Sequence, residues 1–264
     1  MKEGLKNLSA YQVASIRILS AGIVLIPFAR VSFMAVPANK RLLVFLSGLL
    51  GTFFPAYLFC IAETKIDSSL AGILNALTPL FTLIIGVLFF QKKISWKKWA
   101  GVLIGFIGLV LLILSGKKNI NFGFLGYASF IILATLLYGI NVNLVSRYLK
   151  EIGSRQIVTL AFTALIIPSL TILIFTGYFS ETTYTGEWIY STGASFLLGI
   201  LGTAVASILF YVLLKRAGPV FSSMVTYGIP FVALFWGIMA NEQINLIQMG
   251  CLCLILGGVY LANK

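Results

Sequence analysis

The sequence contains no histidine. That removes the commonest metal ligand and the usual proton carrier near neutral pH. Only seven residues are acidic, and none lies in the middle of an apolar run. The three cysteines, Cys60, Cys251 and Cys253, all sit inside such runs. Cys251 and Cys253 are two positions apart, about 200° around a helix, so they cannot share one metal ion. They read as small apolar packing groups, and neither a metal nor a cofactor is implied. Charged residues make up 10% of the chain, whereas a soluble domain carries about 25%. What is abundant is apolar: 59% of the 264 residues are hydrophobic and the mean hydropathy is +1.02. A water-soluble fold of this length has too little interior to hide that much apolar surface. A soluble enzyme, a disordered chain and a disulfide scaffold are excluded. An all-α polytopic membrane protein remains.

A helix crosses the hydrocarbon core with about 20 residues. Apolar runs of that size, bounded by charges and turn residues, occupy 10–29, 42–62, 66–90, 96–115, 124–146, 155–177, 188–214, 219–240 and 245–262. Nine spans are expected. The runs are continuous, not alternating, which argues against a β-barrel. The first is not a signal peptide, since it lacks a small-residue cleavage site and contains Arg17.

The net charge is +12. The basic residues fall between apolar runs and do not alternate with aromatics on a polar face, so nucleic acid is not the partner. The lipid bilayer and its anionic leaflet are. Alternate connections differ in charge. One set holds thirteen Lys and Arg residues, among them Arg41, Lys92, Lys93, Lys98, Arg147 and Lys215; the other holds five. The richer set is expected to face the cytoplasm. The C-terminus is then cytoplasmic and, with nine spans, the N-terminus is outside.

The chain contains a weak internal repeat. Gly48-Leu49-Leu50-Gly51-Thr52 matches Gly199-Ile200-Leu201-Gly202-Thr203 at an offset of 151, and the same offset pairs Pro79 with Pro230 and Gly86 with Gly237. After a two-residue slip Gly101 pairs with Gly250 and Gly108 with Gly257. Matched glycines and prolines mark close helix approach and kinks. The repeat divides the chain into 1–118, with four spans, and 119–264, with five. The span 124–146 has no counterpart, because its equivalent falls before Met1. The architecture expected is an inverted repeat of five-helix units, ten spans in full and nine here, lacking the first helix. Units with an odd number of spans have opposite orientations, which is the plan of secondary transporters.

These residues carry a resemblance. Leu77-Thr78-Pro79-Leu80, Gly86, Gln91 and the Gly101–Gly108 spacing in one half answer to Gly228-Ile229-Pro230-Phe231, Gly237, Glu242 and the Gly250–Gly258 spacing in the other. The pattern resembles the EamA family of the drug/metabolite transporter superfamily, as does Arg17-Ile18-Leu19-Ser20-Ala21. The resemblance implies a monomeric or weakly dimeric inner-membrane carrier that exports amino acids, metabolites or drugs by alternating access around a central cavity. Gln91 stands where that family usually has glutamate.

Polar groups within hydrocarbon cost free energy unless partnered, so their positions are informative. Asn75, Thr78, Pro79 and Thr82 recur at helical spacing on one face. Thr226 is the repeat equivalent of Asn75, with Tyr227 beside it. Pro79 and Pro230 free backbone carbonyls one turn earlier. Tyr138 and Asn141 share a face of their span, while Asn143 points elsewhere. Thr203, Ser207 and Tyr211 step by four, and Tyr211, close to Lys215, reads as an interfacial anchor. Arg17 is the one charge well inside a span, about 10 Å from its outer end. It either snorkels outward or pairs with a substrate carboxylate or helix-end carbonyls. The substrate-binding set is therefore Asn75, Thr78, Tyr138, Asn141, Thr226, Tyr227 and Arg17, with Pro79 and Pro230 as kinks. Ordinary helix–helix hydrogen bonding accounts for the same polar residues equally well. Two other classes compete with this reading. An intramembrane enzyme lacks a base, a mid-span acid and a metal set. A non-transporting structural protein, or an inactive truncated carrier, remains compatible with the missing helix.

Overall fold

A computed structural model describes residues 1, 3–66, 68–116, 125–180, 185–228 and 246–263. Among them every regular element is helical. The exposed residues include Ile167 and Phe175, whereas Ser47, Thr82, Asn143 and Ser169 are buried. Apolar side chains outside and polar ones inside suit a bundle solvated by lipid. The chain is an all-α polytopic membrane protein. Five of its described helical segments are long and apolar enough to cross a membrane.

Helix α1 (Ala10–Ala35) starts where Ser9 accepts from the Gln12 N–H while the Gln12 side chain accepts from the Ser9 N–H. This capping box satisfies two donors that the first turn would leave free. Helix α2 (Ala38–Glu63) is interrupted by a π turn at Leu49–Phe53, just before Pro55. The run 66–90 is not one helix. It divides into α3 (Ser68–Asn75) and α4 (Thr78–Leu88), with Pro79 in the first turn of the second. Proline has no N–H to continue the ladder but fits a helix start, so the break falls where the sequence places it.

Helices α5 (Trp96–Gly116), α6 (Leu125–Tyr148) and α7 (Ser154–Phe175) follow. Helix α8 (Gly186–Gly228) is the longest apolar segment. It carries a π turn at Ile200–Val205 and breaks at Gly218, where φ is +83° ahead of Pro219. A residue before proline is pushed out of the helical region, and glycine alone takes this φ without strain. The second half of the expected span 219–240, Pro230 included, lies outside the described residues. Helix α9 (Leu246–Asn263) ends the chain's described part.

Both copies of the Gly-X-Leu-Gly-Thr motif unwind into π turns, at Leu49–Phe53 and at Ile200–Val205. Such turns recur at functional sites because they free backbone groups and rotate the following face. Helix α6 lies against α2, α3, α4 and α8. Helices α5 and α9 form an antiparallel pair seamed by small residues. Gly101 faces Ala262, Gly105 faces Gly258, and Gly108 faces Leu254 and Ile255. Without side chains between them the backbones approach closely, and dispersion replaces the hydrophobic drive that lipid does not supply.

Candidate functional site

A cavity of about 420 Å3 lies between α1, α2, α6, α8 and the α3–α4 break. Arg17, Asn75, Thr78, Tyr138, Asn141 and Thr226 all line it. Six side chains from four well-separated places in the sequence thus meet around one space. A volume of this size suits a small metabolite.

Arg17 reaches the cavity because α1 and α8 cross closely at Gly199. A Cβ there would stand 2.9 Å from the Arg17 Cα and overlap the Ser20 hydroxyl. The guanidinium does not snorkel. Its Nη1 donates to the Met1 sulfur at 2.9 Å and its Nη2 to the Thr203 hydroxyl at 3.4 Å. Nε is buried with no partner among the described residues. Both partners are neutral, and neither supplies the paired oxygens that a guanidinium fork matches. A cation held this way within a membrane protein is poised for an anionic group.

The α3–α4 break forms one wall. Pro79 leaves the Asn75 carbonyl without its helical donor, and the Thr78 hydroxyl takes it at 2.7 Å. The same hydroxyl lies 3.4 Å from Asn75 Oδ1. The freed carbonyl is thus occupied, and the Asn75 amide is the group left for a ligand. On the other side Thr226 lines the cavity while its hydroxyl donates to the Ser223 carbonyl at 3.1 Å. Thr82 departs from the expected face. The helix break separates it from Asn75, and its carbonyl accepts from Asn143 at 2.9 Å.

Asn141 belongs to a closed polar node. Ser47 donates to Asn141 Oδ1 at 2.7 Å, Asn141 Nδ2 donates to the Tyr211 hydroxyl at 3.0 Å, and Ser47 and Tyr211 are 3.0 Å apart. All three are buried. Gly51 makes room, since a Cβ there would overlap the Asn141 amide. The node ties α2, α6 and α8 together at the cavity wall. Tyr211 is therefore no interfacial anchor. The helix runs on beyond Lys215, so Tyr211 lies within the bundle. Ser47 carries no sequence signal of its own. The repeated Gly-X-Leu-Gly-Thr motif does point to this wall, because Gly51, Thr52 and Gly202 all line the cavity. Tyr138 completes it, its ring tilted against Phe59 at 6.2 Å between centroids.

Tyr227 is a correction. It is fully buried, its ring lies against Gly105, and its hydroxyl donates to the Val102 carbonyl at 3.1 Å. It sits in a 3-10 segment, Met224–Gly228, where successive residues turn by about 120°. Adjacency to Thr226 therefore carries it away from the cavity and into the seam of α5.

Comparisons with known proteins place the chain among transporters. The model of the EamA-like transporter family matches residues 1–114 and 125–264. The chain is 27% identical over 211 residues to an S-adenosylmethionine uptake transporter of Rickettsia prowazekii (strain Madrid E), covering 78% of this chain and 66% of that one. It is 23% identical over 270 residues to a probable amino-acid metabolite efflux pump of Salmonella typhimurium (strain LT2), covering 99% and 88%. With another curated bacterial transporter the match spans 56% of that protein's length. A solved crystal structure shares the fold with a TM-score of 0.74 at 17% identity, over 99% of this chain and 89% of its own.

Proposed function

This chain belongs to the EamA-like transporter family, and from that we propose that it moves a small metabolite bearing an α-amino carboxylate through the central cavity by alternating access. The observation that carries this reading is the position of Arg17. Its guanidinium enters the cavity opposite Asn75 and Thr226, with one nitrogen buried and unpartnered. A carboxylate placed there gains two parallel charge-assisted hydrogen bonds, and the Asn75 amide is placed to accept from the ammonium. The named cargo of the first relative, S-adenosylmethionine, carries this pair of groups.

Asn75 and Thr226 stand 151 positions apart, at equivalent places in the two halves. Sites of inverted-repeat carriers sit at the interface between such halves, beside broken helices. Units 1–118 and 119–264 rocking about this interface supply the alternating access. No Asp or Glu lines the described cavity, so the site offers no carboxyl relay for protons. The reading is a facilitator or a weakly coupled exporter. The Lys-rich connections and the C-terminus face the cytoplasm of an inner membrane.

If Asn75 and Thr226 line the path, Asn75→Leu and Thr226→Leu each lower substrate flux about tenfold, the order expected for one lost ligand hydrogen bond. Flux is measured in vesicles, with insertion checked by immunoblot. Normal flux in both variants at normal insertion would remove the cavity from the path.

A further inference from the structure

A second cavity, of about 430 Å3, opens at the Lys-rich end of the bundle. It lies along the same helices as the first. Thr78 and Asn141 line the central cavity, and Thr82 and Asn143, one turn or less further on, line this one. Its chemistry is different. Lys92, Lys93 and Lys98 converge on it, and its described lining contains no carboxylate.

The local fold builds this cluster. After α4 the backbone turns back through Gln91, a non-glycine residue at φ +51°, and the Lys92 N–H closes onto the Gly86 carbonyl at 2.9 Å. The Lys92 side chain then folds along α4, where a Cβ on Gly86 would stand 3.6 Å from its Cδ. Its ammonium donates to the Ser146 hydroxyl at 3.4 Å. Arg147, one residue on, donates to the Phe90 carbonyl at 2.6 Å and adds a further positive charge. Burial first, and Arg147 second, push the Lys92 amine down to about 8. Among the described lining residues no carboxylate offsets these partly desolvated like charges.

Asn143 supplies an independent observation. It is completely buried and lines the cavity. Its Nδ2 is spent on the Thr82 and Gly139 carbonyls, both at 2.9 Å. Its Oδ1 has no partner among the described residues. A buried acceptor left unsatisfied costs about 1–3 kcal/mol, so the site asks for a donor as well as an anion. A simple halide or sulfate supplies only the charge. A phosphate attached to a glycerol unit supplies both.

We propose that this cavity binds a glycerophosphate group, its phosphate held by Lys92, Lys93 and Lys98 and a hydroxyl donating to Asn143 Oδ1. The group has two sources: the headgroup of an anionic glycerophospholipid, or soluble glycerol phosphate. Basic pockets between membrane helices take up such headgroups, and salt screens exposed pairs but not half-buried ones. The site does not depend on what the central cavity carries, and its test needs no transport.

The purified full chain in neutral detergent is titrated with glycerol 3-phosphate, with dioctanoyl phosphatidylglycerol and with dioctanoyl phosphatidylcholine, and thermal unfolding is followed. The glycerophosphate ligand raises the midpoint and phosphatidylcholine does not. A rise with the lipid alone identifies a headgroup site; a rise with the soluble ester identifies a metabolite site. Lys92→Gln combined with Lys98→Gln removes the rise, while Lys150→Gln, an exposed lysine at the same end outside the cavity, keeps it. Lys93 is exposed, so Lys93→Gln folds even if the double variant does not, and it weakens apparent affinity about tenfold, the order of one charge-assisted contact. No rise with either glycerophosphate ligand, or an equal rise in the Lys93→Gln chain, overturns the proposal.

Discussion

Arg17→Leu is expected to reduce flux of an α-amino acid substrate by roughly ten- to a hundredfold, the worth of a hydrogen bond to a charged group at about 1.5–3 kcal/mol. The loss is selective. Flux of the matching decarboxylated amine falls little, because only the carboxylate meets the guanidinium. Insertion improves if it changes at all, since an arginine within a span is costly to place in the bilayer. Arg17→Lys retains the charge but loses the planar fork, and recovers part of the activity. An equal fall for acid and amine would mean that Arg17 acts through packing between α1 and α8, where its Cα already lies against Gly199.

Gly258→Leu is expected to destroy the fold, and Gly257→Leu to leave it intact. The two residues are neighbours on α9, yet their surroundings differ. A Cβ on Gly258 would stand 2.5 Å from the Gly105 nitrogen and 2.6 Å from the Gly101 carbonyl oxygen, both backbone atoms that have no rotamer to yield. A Cβ on Gly257 meets no atom of the described residues within 4 Å. Even Gly258→Ala costs about 1–3 kcal/mol, as overpacking of a tight interior does. Size-exclusion chromatography of the detergent-extracted chains separates the two outcomes. Monodisperse Gly258→Leu protein would mean that the α5–α9 seam does not hold the structure.

Much of this architecture was legible as residues. Apolar runs mark the helices, and Pro79 marks the break between α3 and α4. The repeated glycines mark the two π turns and the seam. Arg17, Asn75, Thr78, Tyr138, Asn141 and Thr226 stood out because hydrocarbon makes each of them expensive. What was hidden depends on phase and on distant partners. Ser47 is one serine in an apolar run, and its meaning appears only when Asn141 and Tyr211 are brought beside it. Lys215 reads as the end of a span, whereas the helix continues to Gly218, which keeps Tyr211 inside the bundle. Tyr227, next to Thr226 in chain order, falls about a third of a turn away from it and so enters the seam of α5. Thr82 shared a face with Asn75 only on the assumption of an unbroken helix.

Counterflow with the purified chain tests the central reading most directly. Proteoliposomes are loaded with an unlabelled amino-acid metabolite such as S-adenosylmethionine, diluted into a trace of the labelled compound, and followed with no pH gradient. Transient accumulation of label inside is expected, competed by other α-amino carboxylates but not by their decarboxylated amines. No accumulation with any member of the class, or equal competition by the amines, would contradict a carrier that reads the carboxylate through Arg17.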